Sequence, residues 1–289
     1  RPPRPDPLVP LLGEPMSTLV QELIDAGIHF GQRRSNWNPR MAPYIWDTRN
    51  GISIIDIKET IKGLLLAKRF LQKTVASGKD VVFVGTKRQA KGAIEQHATD
   101  VGMPYVTERW LGGTLTNFRT IRERLKRLEE LENLIETGEI RKYSKKMESQ
   151  LSREQKKIFR NLNGVRTMTR LPGAMVVIDV NRELNALREA RNLGIPTVCL
   201  IDTDGNPELA DIPVPGNDDS MRSIDVVIRE FCAAIKEGKT QRVADDGKPG
   251  EGGEAAPPRR RSSRSQFRSD EPAPASEEVA AEAGEPSAG

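Results

Sequence analysis

Three short apolar runs constrain this chain more than anything else in it: Val81–Val84, Ala174–Ile178 and Thr197–Ile201. Each is continuous rather than alternating and rich in β-branched residues, as a strand must be when both of its faces are covered. Helical periods lie between and around them. Residues 57–75 place Ile57, Ile61, Leu64, Lys68, Leu71 and Val75 at three- and four-residue steps, behind a capping-box-like start at Asp56 and Glu59. Residues 184–193 read as a shorter helix that Gly194 ends ahead of Pro196. A last helix carries Ile224, Val227, Ile228, Phe231, Cys232 and Ile235 as one stripe, after a cap region at 217–220. Strand–helix alternation of this kind predicts an α/β fold with a doubly wound parallel sheet. Tyr44-Ile45-Trp46 and Ile52-Ser53-Ile54-Ile55, joined through Asn50-Gly51, form either a hairpin or a bent edge.

The alternation is interrupted at residues 117–165. Phe118, Ile121, Leu125, Leu128, Leu131 and Leu134 line one side of a charged helix, Thr137-Gly138 breaks it, and Leu151, Ile158, Leu162 and Val165 bring a second helix back. A narrow apolar seam amid dense charge predicts a projecting coiled-coil hairpin; the other reading is an ordinary pair of helices lying flat on the sheet. An arm rich in Arg and Lys points to a nucleic-acid partner. The stretch Arg109-Trp110-Leu111-Gly112-Gly113-Thr114-Leu115-Thr116-Asn117-Phe118 leads into it. The expected organisation is therefore an extended, disordered stretch at 1–15, an α/β body at 16–108 and 166–238, an insertion at 109–165, and a disordered tail at 239–289. Gly, Pro, Ala, Ser and Glu dominate that tail, too few apolar groups to offset the entropy of ordering it, and its Arg259-Arg260-Arg261 cluster is read as solvated.

Only 36% of the 289 residues are apolar and 30% are charged, in keeping with tails or exposed helices. The net charge is +4, and the two ends together hold more acid than base, so the folded middle is the basic part. Cys199 and Cys232 sit in apolar stretches without a CxxC pair, which predicts structural thiols and excludes a zinc ribbon. No apolar run approaches the ~20 residues of a membrane span. The Pro-rich start resembles no signal peptide. A cytoplasmic protein is expected.

Candidate chemistry is sparse. Val84-Gly85-Thr86-Lys87-Arg88-Gln89 follows a strand and opens a helix, where backbone N–H groups, Lys87 and Arg88 could hold an anion, or which could be a plain turn. Neither a Walker loop nor a Rossmann fingerprint is present. Asp179 and Asp202 end strands where doubly wound folds place ligands; they could hold magnesium, but capping loops or holding Arg182 is the preferred reading. His29 is placed near a helix end and His97 on a solvated helix face, and no Ser/His/Asp or Cys/His set emerges. Trp37 and Trp110 either stack on exposed bases or anchor their loops, and Gly112-Gly113 would permit close backbone approach. Three functions remain: an RNA-binding scaffold, a nucleotide- or metal-binding enzyme or ligand module using Gly85, Asp179 and Asp202, and a coiled-coil adaptor that binds protein only.

Ile28-His29-Phe30-Gly31, Trp37-Asn38-Pro39, Arg49-Asn50-Gly51-Ile52, Phe83-Val84-Gly85-Thr86-Lys87, the decapeptide at 109–118 and Pro215-Gly216-Asn217-Asp218-Asp219-Ser220 follow one another in order. Together they closely resemble the ribosomal protein S-two family of the bacterial small subunit, over residues 17–237. The resemblance implies a flavodoxin-like α/β domain with a protruding coiled-coil hairpin. It implies a structural protein, not an enzyme, lying between head and body of the small subunit, with small-subunit rRNA and other ribosomal proteins as partners. Among those is the mRNA-binding protein S-one, for which it would provide a docking place. No cofactor, metal, small-molecule substrate or membrane is implied. The expected rRNA contacts are Arg33, Arg34, Trp37, Arg40, Lys87, Arg88, Arg109, Arg119, Arg122 and Arg124. Two positions depart from the family pattern: Gln32 replaces a common His, and Thr203-Asp204-Gly205-Asn206-Pro207 replaces a Thr-Asn-Ser/Cys-Asp-Pro segment.

Overall fold

The three apolar runs lie side by side as the inner strands of a five-stranded parallel sheet. The computed structural model describes residues 14–246, with side chains at 18–242. In chain order the elements are α1 (Glu14–Asp25), β1 (Phe30–Arg33), β2 (Ile45–Arg49), β3 (Ile52–Ile55), α2 (Ile57–Ala76), β4 (Val81–Val84), α3 (Arg88–Asp100), β5 (Tyr105–Val106), α4 (Phe118–Glu136), α5 (Lys145–Leu162), β6 (Ala174–Ile178), α6 (Leu184–Asn192), β7 (Thr197–Ile201), β8 (Ile212–Pro215) and α7 (Met221–Asp246). The sheet runs β5-β4-β6-β7-β8. Its second strand along the chain lies outside its first, which is the flavodoxin-like winding.

Both faces of the sheet are covered, and the pleat sorts the side chains. Val81, Phe83, Val176, Ile178, Val198 and Leu200 pack against α2, α3 and α7 through Leu64, Leu71, Ile94, Phe231 and Ile235. Their neighbours Val82, Val84, Met175, Val177, Cys199 and Ile201 point the other way, onto Ala186, Leu187 and Ala190 of α6 and onto Trp110, Ile121, Leu125, Leu162 and Val165. Each such side chain withdrawn from water stabilises the fold by about 1.5–3 kcal/mol before its ordering entropy is counted. The edge strands escape a simple apolar pattern. β5 is two residues long, and β8 carries Pro213 and Pro215, which an edge tolerates because their missing donors face no neighbour.

The Asn50-Gly51 joint is a true hairpin turn: both residues have positive φ, 51° and 76°, the twist that joins β2 to β3. β1 adds to the far side of β3, completing a small antiparallel sheet in the order β1-β3-β2.

Two details differ from the sequence reading. The Asp56 carboxylate caps α2 by accepting from the Lys58 N–H at 2.9 Å, but Glu59 pairs with Lys62 at 2.5 Å instead of closing a capping box. Helix α7 does not stop at Gly238; it runs on to Asp246, and the Lys239 ammonium binds the Val101 carbonyl. The expected tail at 239–289 therefore begins with helix, while residues 1–13 and 247–289, including Arg259, Arg260 and Arg261, lie outside the described residues.

Helices α4 and α5 form the link between β5 and β6 and run antiparallel, with Arg127 reaching Glu154 across the pair and Arg166, beyond α5, reaching Glu132 of α4. Their near ends are rooted in the core, because Ile121, Leu125 and Leu162 belong to the cluster on the sheet. Further out, Leu128, Leu131 and Ile140 are buried away from that cluster, by α5 and the turn at 139–142. Near the core, then, the segment packs on the sheet as the flat reading expects.

Candidate nucleic-acid interface

The decapeptide is wrapped around a carboxylate. Glu189 enters from α6, on the face that covers the sheet, and is almost wholly buried. Its Oε1 accepts from Trp110 Nε1 at 3.1 Å and from the Gly113 N–H at 2.8 Å. Its Oε2 accepts from the N–H groups of Leu115 and Thr116, at 3.0 and 3.1 Å, and from the Thr116 hydroxyl at 3.2 Å. Gly113 turns its N–H inward at φ +88°, a conformation costly for a residue with a Cβ. Burial opposes ionisation of Glu189, but the converging donors outweigh it and hold the carboxyl below the ordinary glutamate range. Trp110 is consequently an anchor rather than a stacking surface, and Gly112-Gly113 shape a loop around an internal anion. Arg109 next to it stays exposed.

The carboxyl ends of the strands are likewise filled from within. After β4, the Gly85 N–H bonds the Val106 carbonyl, and the Thr86 N–H and hydroxyl donate to Glu183 Oε1 at 2.9 and 2.5 Å. The place where an anion was considered is therefore taken by the chain's own Glu183. Its carboxyl is raised by burial, partly countered by the Thr86 donors. Lys87, expected as a phosphate contact, turns its ammonium inward to Asp218 at 2.7 Å and Asp219 at 2.6 Å, with Asp179 at 3.6 Å. Burial alone would depress that ammonium, yet its hydrogen bonds to the two aspartates raise it above the usual lysine value. Asp202, Asp218 and Asp219 lie close enough together to share a cation. Lys87 provides that charge at Asp218 and Asp219, while the Gln32 amide bridges Asp219 at 2.5 Å and Asp202 at 3.3 Å. Burial pushes Asp202 up to about 6 and, with Asp179 beside it, Asp218 up to about 8. Asp179 adopts φ +70° and caps the following loop by accepting from the N–H groups of Asn181 and Arg182. The loop-capping role preferred for it from sequence is the one seen.

The remaining candidates are spread over several segments. Arg33 and Arg34 are exposed at the end of β1, and the Trp37 loop is pinned by the Asn38 N–H to the Thr203 carbonyl at 2.7 Å. Trp37 remains partly exposed, and Arg40 pairs with Glu208 at 2.9 Å. Arg88 opens α3. Arg119, Arg122 and Arg124 are exposed in the first half of α4, Arg119 near Glu123 and Arg122 donating to the Thr169 carbonyl at 3.2 Å. Among the described residues, no salt bridge engages Arg33, Arg34, Arg88, Arg109 or Arg124.

A sequence profile described as Ribosomal protein S2 matches residues 23–238. The chain belongs to the ribosomal protein S2 family. A relative from Rhodopirellula baltica, named small ribosomal subunit protein uS2, is 57% identical over 223 residues, covering 77% of this chain and 86% of its own length. Protein uS2c of Rhodomonas salina is 48% identical over 78% of this chain and 93% of itself. Protein uS2 of Mycolicibacterium gilvum is 44% identical over 83% and 87%. This S2-family chain is a ribosomal protein of the small subunit, a structural component and not an enzyme. No helix among the described residues is long and apolar enough to cross a membrane.

Against that background the histidines and cysteines have structural places. His97 is not on a solvated face; its Nε2 lies 2.8 Å from Asp225, where α3 meets α7. His29 Nδ1 is buried without a hydrogen-bond partner, and burial lowers its pKa. Both thiols are buried, and burial raises them. Sequence reasoning missed Glu183 and Glu189 altogether. One signal was available: Glu183 shares the helical stripe of Ala186, Leu187 and Ala190, and an acid on a core-facing stripe needs donors to meet it.

Proposed function

We propose that this S2-family chain grips small-subunit rRNA, between head and body, with the carboxyl edge of its sheet and the first half of α4. The observation that carries the reading is the division of α4. Its apolar side is rooted in the core at Ile121 and Leu125, while Arg119, Arg122 and Arg124 stand exposed beside that root. Arginines on a rooted helix start from a backbone already fixed, so contact with phosphate has only their side chains left to order. The second half of α4 is acidic, with Glu129, Glu130, Glu132 and Glu136, so the grip is assigned to the near end and not to the tip. Arg33, Arg34, Trp37, Arg40, Arg88 and Arg109 extend the same edge. Lys87 is left out of the grip because its charge is held by aspartates.

Changing Arg119, Arg122 and Arg124 together to Ala is expected to weaken binding to small-subunit rRNA and to flatten its salt dependence. The slope of log K against log salt should fall by about 2 to 3 if three phosphate contacts are lost. An unchanged slope in filter binding would refute the role of α4. The family resemblance supports a second partner, the mRNA-binding protein S-one, docked on this chain. Subunits assembled without the chain should then retain less S-one in a sucrose gradient; equal retention would refute the docking.

A further inference from the structure

The small antiparallel sheet turns an unusual face to solvent. In β3, Ser53 and Ile55 point into the protein, so Ile52 and Ile54 point out. Pairing places Phe30 of β1 opposite Ile54, and puts Arg33 and Arg49 on either side of Ile52. Trp46 lies in the irregularity between Ile45 and Asp47, with the Arg49 guanidinium 5.7 Å from its ring centre. Trp46 is 65% exposed and Phe30 49% exposed, in a protein with only three tryptophans that buries Trp110 completely enough to bond its indole N–H to a carboxylate.

We infer that this face is a stacking platform for an unpaired segment of small-subunit rRNA, with Trp46 and Phe30 under the bases and Arg33 and Arg49 at the phosphates. Sheets that read single-stranded RNA use this combination, exposed aromatic rings on one face with arginines beside them, because every base has a π-face and every linkage a negative charge. Duplex RNA does not fit, since its bases are already stacked on each other. A protein partner fits less well: the one acid on the face, Asp47, pairs with Arg49 at 3.6 Å, and the exposed cations would be stripped of water without compensation. The platform rests on the reading that this chain binds small-subunit rRNA and shares Arg33 with it, but it does not depend on the α4 arginines.

The test uses the full chain and a labelled, unstructured RNA of about twelve nucleotides, within the span of known single-strand binders, beside the same sequence as a duplex. Trp46→Leu keeps an apolar side chain but removes the ring; Trp46→Phe keeps a ring. Trp46 is exposed, so both variants should match the parent in thermal melting. In fluorescence anisotropy, Trp46→Leu should weaken single-strand binding about tenfold while Trp46→Phe recovers most of it and duplex binding is unchanged. The Arg119/Arg122/Arg124→Ala variant should keep its preference for the single strand. Equal affinity of the parent for both forms of RNA would overturn the proposal, as would a Trp46→Leu variant that binds like the parent. Loss of a neighbouring protein, with RNA binding intact, from subunits carrying Trp46→Leu would assign the face to that protein and overturn it too. Ultraviolet cross-linking of assembled subunits identifies the source: the Trp46 peptide should carry an unpaired rRNA nucleotide, and attachment to bound mRNA instead would also refute it.

Discussion

Glu189 acts as a scaffold without doing any chemistry. Five donors from one loop converge on its two oxygens, so an amide in its place would accept from some of them and turn its own N–H groups toward the rest. Glu189→Gln should destabilise the protein at neutral pH by about 3 kcal/mol in a denaturant melt, the scale set by unmet buried donors. Because folding lowers this carboxyl below its ordinary value of 4.5, its contribution is fully present above that value. It is lost as pH falls through the lowered folded value. The gap between parent and Glu189→Gln should therefore narrow below about pH 4, and a gap that stays constant on acidification would contradict the assignment. Lys87→Met leaves Asp218 and Asp219 without their ammonium and should cost about 3 kcal/mol by the same measurement, as broken buried pairs do. Neither effect was legible in the chain alone. Glu189 looks like an ordinary helix-surface acid until the loop it binds is folded around it, and the partners of Lys87 lie more than ninety residues away.

At the level of elements, legibility followed length and pattern. β4, β6 and β7 announced themselves because both faces are buried, which forces an unbroken apolar run. β5 has two residues and β8 two prolines, so neither offered a period to read. The Asn50-Gly51 turn was visible, but β1 was not, since Phe-Gly-Gln-Arg carries no alternation. The helix pair gave a readable seam, yet nothing in the seam marks where the core ends. That division has a measurable consequence. Leu131→Ala, outside the sheet's core cluster, should open the far half of α4 and α5 to hydrogen exchange while the amides of β4, β6 and β7 keep their protection. Leu125→Ala, inside that cluster, should lower the global stability by about 2–5 kcal/mol. If both variants lowered global stability alike, the pair would be one cooperative piece with the body.

For the molecule as a whole, the family and the flavodoxin-like winding were within reach of the sequence; the way Glu183 and Lys87 fill the usual ligand position was not. Doubly wound sheets ordinarily hold their ligands at the carboxyl edge, and this chain has filled that edge with its own charges. Titration calorimetry with nucleotides and magnesium should accordingly show no micromolar binding to the RNA-free protein; a clear isotherm would mean that Glu183 and Lys87 yield their places. The exposed arginines were legible as charge, but the placing of those around Trp37 depends on loop pinning such as that of Asn38 to Thr203, which no local pattern encodes.

The bond between Glu189 and the loop at 109–118 also orders events in time. That loop launches α4, and its socket exists only after α6 has settled on the closed sheet. Until α6 has packed, nothing fixes the direction in which the chain leaves the sheet for α4.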